Sequence, residues 1–207
     1  MSELRPDDAR AAVAAAAGAL RPHLAGDWSV KAGDLDWDCR TTLAHAGGAL
    51  IWYAANLATQ STGSVGIADF DPSEEIKLLV STLGASGEIL ARVVEASPPG
   101  ARGYHGAGMA DATGYLAMGC DETLVHAYDV CAGFGAAFEA PAEIADRVVS
   151  RIFPWAPAHA DPWERLLWCN GRIALPSEDR LGPEWGWWCA PLDEWDGVAY
   201  TDHWPGD

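Results

Sequence analysis

Four long stretches of this chain carry apolar residues at helical rather than alternating spacing, and each is cut off by sequence rich in proline, glycine or serine. The first opens at Pro6, with Asp7 and Asp8 in its first turn, and runs through alanine and leucine to about Leu24. The second follows GDLDWD; Asp38 is placed to cap it, and RTTLAHAGGALIWYAANLA carries it to about residue 59. After the loop STGSVG, the third begins near DPSEE, where Asp71 or Ser73 can cap, and runs to about Ala96. SPPGARGYHGAG reads as a Pro/Gly-rich connector, and the fourth helix covers about 109–132 before the glycine stop at GFG. APAEIADRVVSRIF, 140–153, is a shorter fifth. Long helices with little β-branched alternation between them bury their apolar faces against one another. The expected fold is therefore all-α, an antiparallel four-helix bundle plus a fifth helix over residues 1–153.

At Pro154 the composition changes, and eight of the eleven tryptophans lie beyond it. DPWE, 161–164, places an aspartate cap before a proline at the first helical position, so a short helix to about Asn170 follows. EWGWWCAPLDEWDG is aromatic and irregular; residues 154–207 read as a tryptophan- and proline-rich extension wrapped on the bundle.

Thirteen basic residues against 30 acidic ones give a net charge of −17, spread along the chain. Such a surface repels phosphate backbones and anionic lipid, which argues against nucleic-acid and membrane partners. AAVAAAAGAL lacks the basic flank and strong apolar run of a signal peptide and is too short to span a bilayer, so the expected location is cytoplasmic. The five cysteines are widely spaced with no CxxC pair, which speaks against a disulfide framework or a four-cysteine zinc site and leaves them as small core residues.

Within the fourth helix, DETLVHAYD puts Glu122 and His126 four residues apart in otherwise core-like sequence. Side chains at that spacing lie on one helix face and can share a metal ion, as in the HExxH zinc helix. A third donor is offered by His45 on the second helix, beside Gly47 and Gly48; two mid-helix glycines each cost on the order of 1 kcal/mol relative to alanine, so room for a ligand or close helix packing is expected there. Asp129, one turn past His126, is a candidate acceptor for its other ring nitrogen, while Asp121 reads as exposed. Trp52, Tyr115 and His105 are candidates to line a pocket. The competing reading makes Glu122 a structural partner of Arg40 or Arg102 and His45 a hydrogen-bonded core histidine. Two histidines and one glutamate would leave an open position on zinc, or on nickel or another divalent cation, for a thiolate or a hydroxide.

WSVKAGDLDWDCRTTLAHAGGALIWY and GMADATGYLAMGCDETLVHAYDV resemble the two metal-bearing segments of the mycothiol-dependent maleylpyruvate isomerase family, within the wider DinB/YfiT-like superfamily; WERLLWCNGRIALP resembles the segment after its bundle. The resemblance spans roughly residues 1–176 and implies a DinB-like bundle holding a divalent metal, usually zinc, on His45, Glu122 and His126. It implies thiol chemistry as well: mycothiol, as a metal-bound thiolate, adds to or substitutes on a small electrophile, in a transferase or isomerase reaction. The family's C-terminal substrate-holding domain has no counterpart in the tryptophan-rich extension, and 13 basic residues suit an uncharged or aromatic electrophile better than a dianion. The expected partners are thus a small-molecule electrophile and a low-molecular-weight thiol, with a homodimer left open. A hydrolase or lyase using metal-bound hydroxide, or a non-catalytic metal- or ligand-binding bundle, is the alternative; kinship with zinc-binding anti-sigma factors would require the CxxC pair that this chain lacks.

Overall fold

The computed structural model describes residues 3–204. It is mostly helical: α1 (Pro6–Leu20), α2 (Cys39–Thr59), α3 (Ile76–Ala96), α4 (Ala112–Gly133), α5 (Ala142–Ile152) and α6 (Pro162–Cys169), with one hairpin, β1 (Arg102–His105) and β2 (Gly108–Asp111). α1 and α2 each pack against both α3 and α4, so the four long helices form a bundle with α1 and α2 on one diagonal. Leu20, Leu50, Leu57, Leu83, Leu90, Leu116 and Leu124 fill its centre.

Three helix starts follow the cap chemistry. Asp38 accepts from the Thr41 amide at 2.7 Å, Asp111 from Gly114 at 2.6 Å, and Asp161 from Trp163 and Glu164. α1 gives way at Leu20 to a single 3-10 turn, Arg21–His23, short of the expected Leu24, because Pro22 has no amide hydrogen to continue the helical ladder. α3 corrects another expectation. Asp71 closes a local turn on the Ser73 amide at 2.8 Å, and the helix starts at Ile76 without a side-chain cap.

The Pro/Gly-rich connector before α4 holds a short hairpin. Residues 102–105 and 108–111 pair antiparallel, Arg102 opposite Asp111, and this postpones α4 to Ala112. Gly103 lets the hairpin lie on α2: a Cβ there would stand 2.4 Å from the Asn56 carbonyl oxygen. The Tyr104 amide donates to the Ser61 carbonyl at 2.8 Å, and the buried Tyr115 hydroxyl donates to the Tyr104 carbonyl. Tyr115 is thus a core residue that anchors the hairpin, not a pocket lining as expected from sequence.

The segment after α6 is nearly free of regular structure, and Arg151 on α5 secures part of it. Its guanidinium donates to the carbonyls of Trp188, Cys189 and Ala190 and to Asp111 and Thr113. All five cysteines are buried and unpaired. No helix among the described residues is long and apolar enough to cross a membrane. Arg151→Met removes the cation paired with Asp111 and the donor to these carbonyls, and should destabilise the fold by about 3 kcal/mol. A urea titration followed by tryptophan fluorescence checks this; the expected result is a lower midpoint with far-ultraviolet circular dichroism of the native state unchanged.

Candidate metal centre

His45 on α2 and Glu122 and His126 on α4 converge, with one donor atom from each lying within 4.8 Å of the others. The Glu122 Oε2 atom stands 3.0 Å from His126 Nε2 and 3.7 Å from His45 Nε2. Donors about 2.0–2.1 Å from a tetrahedral zinc lie roughly 3.3 Å apart, so the trio fits a divalent cation with little movement. Neither Arg40 nor Arg102 competes for Glu122: Arg40 donates to the Pro72 carbonyl, and Arg102 pairs with Glu194.

Each donor is held from behind. His126 Nδ1 donates to Asp129 at 3.1 Å, and Arg172 grips the same carboxylate with two hydrogen bonds, at 3.1 and 2.7 Å. His45 Nδ1 donates to Asp69 at 3.0 Å. Both rings are thereby fixed in the tautomer that leaves Nε2 free to bind a cation. Tyr53, two turns beyond His45, donates to Glu122 Oε1 at 3.0 Å and leaves Oε2 facing the histidines.

Asp69, Tyr53 and Arg172 escaped the sequence reading. Only the glycine pair carried a trace of Asp69. A Cβ on Gly48 would stand 2.8 Å from the Asp69 Cα, and one on Gly47 would stand 2.9 Å from the Phe70 ring. The glycines make room chiefly for the 66–72 loop, which crosses α2 closely enough to place Asp69 on His45, and Gly47 also faces α3, where a Cβ would stand 3.8 Å from the Leu83 Cα. Gly48→Ala should displace that loop and weaken zinc binding about tenfold. Helix propensity favours alanine there by about 1 kcal/mol, which offsets part of the cost of moving the loop, so any fall in melting temperature should be small beside the loss of affinity. Competition with a chromophoric chelator, beside a thermal melt, separates the two effects.

Asp121 corrects another expectation. It is 1% exposed, accepting from Asn170 Nδ2 at 2.8 Å and from Trp187 Nε1 at 2.9 Å. Burial, reinforced by the neighbouring charge of Glu122, pushes its pKa up to about 7. Burial would also raise Glu122, yet the hydrogen bond and charge of His126, with His45 and Tyr53, hold it below the ordinary carboxylate range. Burial would lower His126, but Asp129 and Glu122 outweigh it and raise its pKa above the usual histidine value.

A group raised on folding stabilises below its unfolded pKa, and that contribution is lost as pH rises through the folded pKa. The metal-free fold should therefore lose His126's contribution on the alkaline side of its ordinary pKa. A cation must expel the same proton, so zinc affinity should rise with pH over that range, with about one proton released per ion. Calorimetry in buffers of different ionisation enthalpy measures the release, and Asp129→Asn should reduce it.

Two clefts meet at the donors. A smaller one of about 290 Å³ is lined by Trp37, Asp121, Arg172 and Trp185 together with the three donors. A larger one of about 430 Å³ is lined by Trp52, Ile67, Asp69, His105 and Trp204, with His45 and Glu122 at its end. Trp187 borders both. Two of the residues expected to line a pocket, Trp52 and His105, do so. A further cleft of about 510 Å³ touches none of the three donors and adjoins the smaller one at Arg172 and Trp185.

The chain matches no protein-family model, no curated protein and no solved structure.

Proposed function

We propose that this chain is a metal-dependent enzyme joining a low-molecular-weight thiol to a small electrophile, as a transferase or an isomerase. The observation that carries this reading is the meeting of His45, Glu122 and His126 within 4.8 Å at the junction of two clefts. Three protein donors of nitrogen and oxygen type leave one position open on a four-coordinate cation, the arrangement of catalytic rather than structural zinc sites. The order of the donors, one on the second long helix and two on the fourth, supports kinship with the DinB-like, mycothiol-dependent maleylpyruvate isomerase family, whose motifs the sequence resembles. That kinship makes mycothiol the thiol and zinc the cation of choice, with nickel as the next candidate.

A cation held there lowers the pKa of a bound thiol, so that a thiolate is available as nucleophile at neutral pH. The chain's own groups hold and shield the site. Asp69 and Asp129 fix the two imidazoles, Tyr53 turns Glu122, and Trp187 separates two approaches so that a thiol and an electrophile can be bound side by side.

Protein purified without chelator or His tag should carry about one zinc per chain by mass spectrometry, and His126→Ala almost none with its helical circular dichroism intact. The zinc-loaded protein should then conjugate mycothiol to monobromobimane faster than the uncatalysed reaction, and His126→Ala should not. No metal in either protein, or equal conjugation by both, would sink the proposal. Turnover of an ester or amide panel without any thiol would point to hydrolysis instead.

A further inference from the structure

The larger cleft has a character that the metal donors do not explain. No lysine or arginine lines it among the described residues, and its two carboxylates are engaged: Asp69 by His45, Glu122 by Tyr53 and His126. Its walls are indoles gathered around His105, whose ring centroid lies 5.7 Å from that of Trp52, 5.6 Å from Trp187 and 6.1 Å from Trp204.

His105 arrives at the end of β1. The Ala107 amide in the hairpin turn donates to its Nδ1 at 3.1 Å. A backbone amide can only donate, so Nδ1 carries no hydrogen and the neutral ring carries its hydrogen on Nε2. That Nε2–H has no hydrogen-bond partner among the described residues. Burial lowers the pKa of the ring to about 4, which keeps it neutral at physiological pH. The cleft thus combines flat aromatic walls, no cation to neutralise a carboxylate, and a neutral imidazole N–H donor on its wall.

We propose that this cleft binds an uncharged aryl or conjugated carbonyl compound, its ring against Trp52 and Trp204 and its carbonyl oxygen accepting from His105 Nε2–H. If the thiol-joining reading above holds, this compound is the electrophile. For an α,β-unsaturated carbonyl, addition forms a sulfur–carbon bond at the β-carbon while the carbon–carbon π pair shifts to the α-carbon–carbonyl bond and the carbonyl π pair moves onto the oxygen. The thiol's proton ends on the α-carbon, so no oxidant, reductant or further reactant is needed. The His105 donor meets a growing negative charge on that oxygen, so it binds the transition state more tightly than the ground state.

Metal-free protein titrated with acetophenone, α-methylstyrene and benzoate tests the binding without metal or thiol. α-Methylstyrene keeps the shape and replaces the oxygen by CH₂. Acetophenone should bind about tenfold more tightly than α-methylstyrene, the worth of one hydrogen bond. Benzoate should bind more weakly than either, and the acetophenone carbonyl ¹³C resonance should move downfield on binding. His105→Phe keeps an aromatic ring and should abolish both the preference and the downfield shift. Equal binding of ketone and hydrocarbon, benzoate binding as tight as acetophenone, or a preference that survives in His105→Phe would overturn the proposal. If His105→Phe does not fold, the wild-type ketone-to-hydrocarbon ratio and ¹³C shift decide. A protein that binds acetophenone this way yet carries no metal would refute the thiol-joining reading alone.

Discussion

Three carboxylates lie buried on one core helix, and much of the structure around α4 is arranged to satisfy them. An ionised carboxylate removed from water without partners costs far more than any single contact in the fold returns, so each must be met by donors or by a cation. Asp121 is met by Asn170 at the end of α6 and by Trp187 of the extension. Glu122 is met by Tyr53 from α2 and by two imidazoles. Asp129 is met by His126 and by the fork of Arg172. The partners come from α2, from the end of α6 and from the chain beyond it, so the acids of α4 tie the extension to the bundle. Of the three, Glu122 keeps an oxygen facing two imidazole nitrogens, the environment in which a divalent cation can take the place of a proton.

The geometry behind the donors is as specific as the donors themselves. Each histidine has its own aspartate, one from the same helix and one from a loop, and the two arise in different physical ways. Asp129 is local: three residues after His126, it reaches the ring by helical periodicity. Asp69 is 24 residues from His45 in sequence and depends on two glycines that give up helix propensity so that a loop can cross close to α2. That exchange of local helical stability for the placement of one side chain is the kind of conflict expected where a chain builds a site.

The hairpin shows the same principle. Read along the chain, GARGYHGAG is a run of glycines around a histidine. In three dimensions it is two short strands against α2, pinned by Tyr115 and Ser61, and it sets His105 among three tryptophans that are distant in sequence. Trp187 and Trp204 come from a segment with almost no regular structure, so the aromatic walls of the larger cleft are a property of the folded chain as a whole.

Periodicity and punctuation in the sequence were enough to locate the helices, most of their caps and the pair Glu122 and His126, because these depend on residues within a turn or two of one another. His45 could be proposed as the third donor because a core histidine beside paired glycines is costly without a purpose. Tyr115 as a pocket lining and Asp121 as a solvated acid were misread for one reason: each was judged from its neighbours in sequence, while its environment is made by elements far along the chain; Asp71 differs, because it closes a turn on Ser73 instead of capping α3. Tyr53, Asp69 and Arg172 left almost no local signal. What the sequence by itself determined is the set of helices and the donors they carry at helical spacing. Only the tertiary structure decided which carboxylate holds which imidazole, where the two clefts run and what lines them, because hydrogen bonds and burial between distant segments follow from packing, which no local pattern encodes.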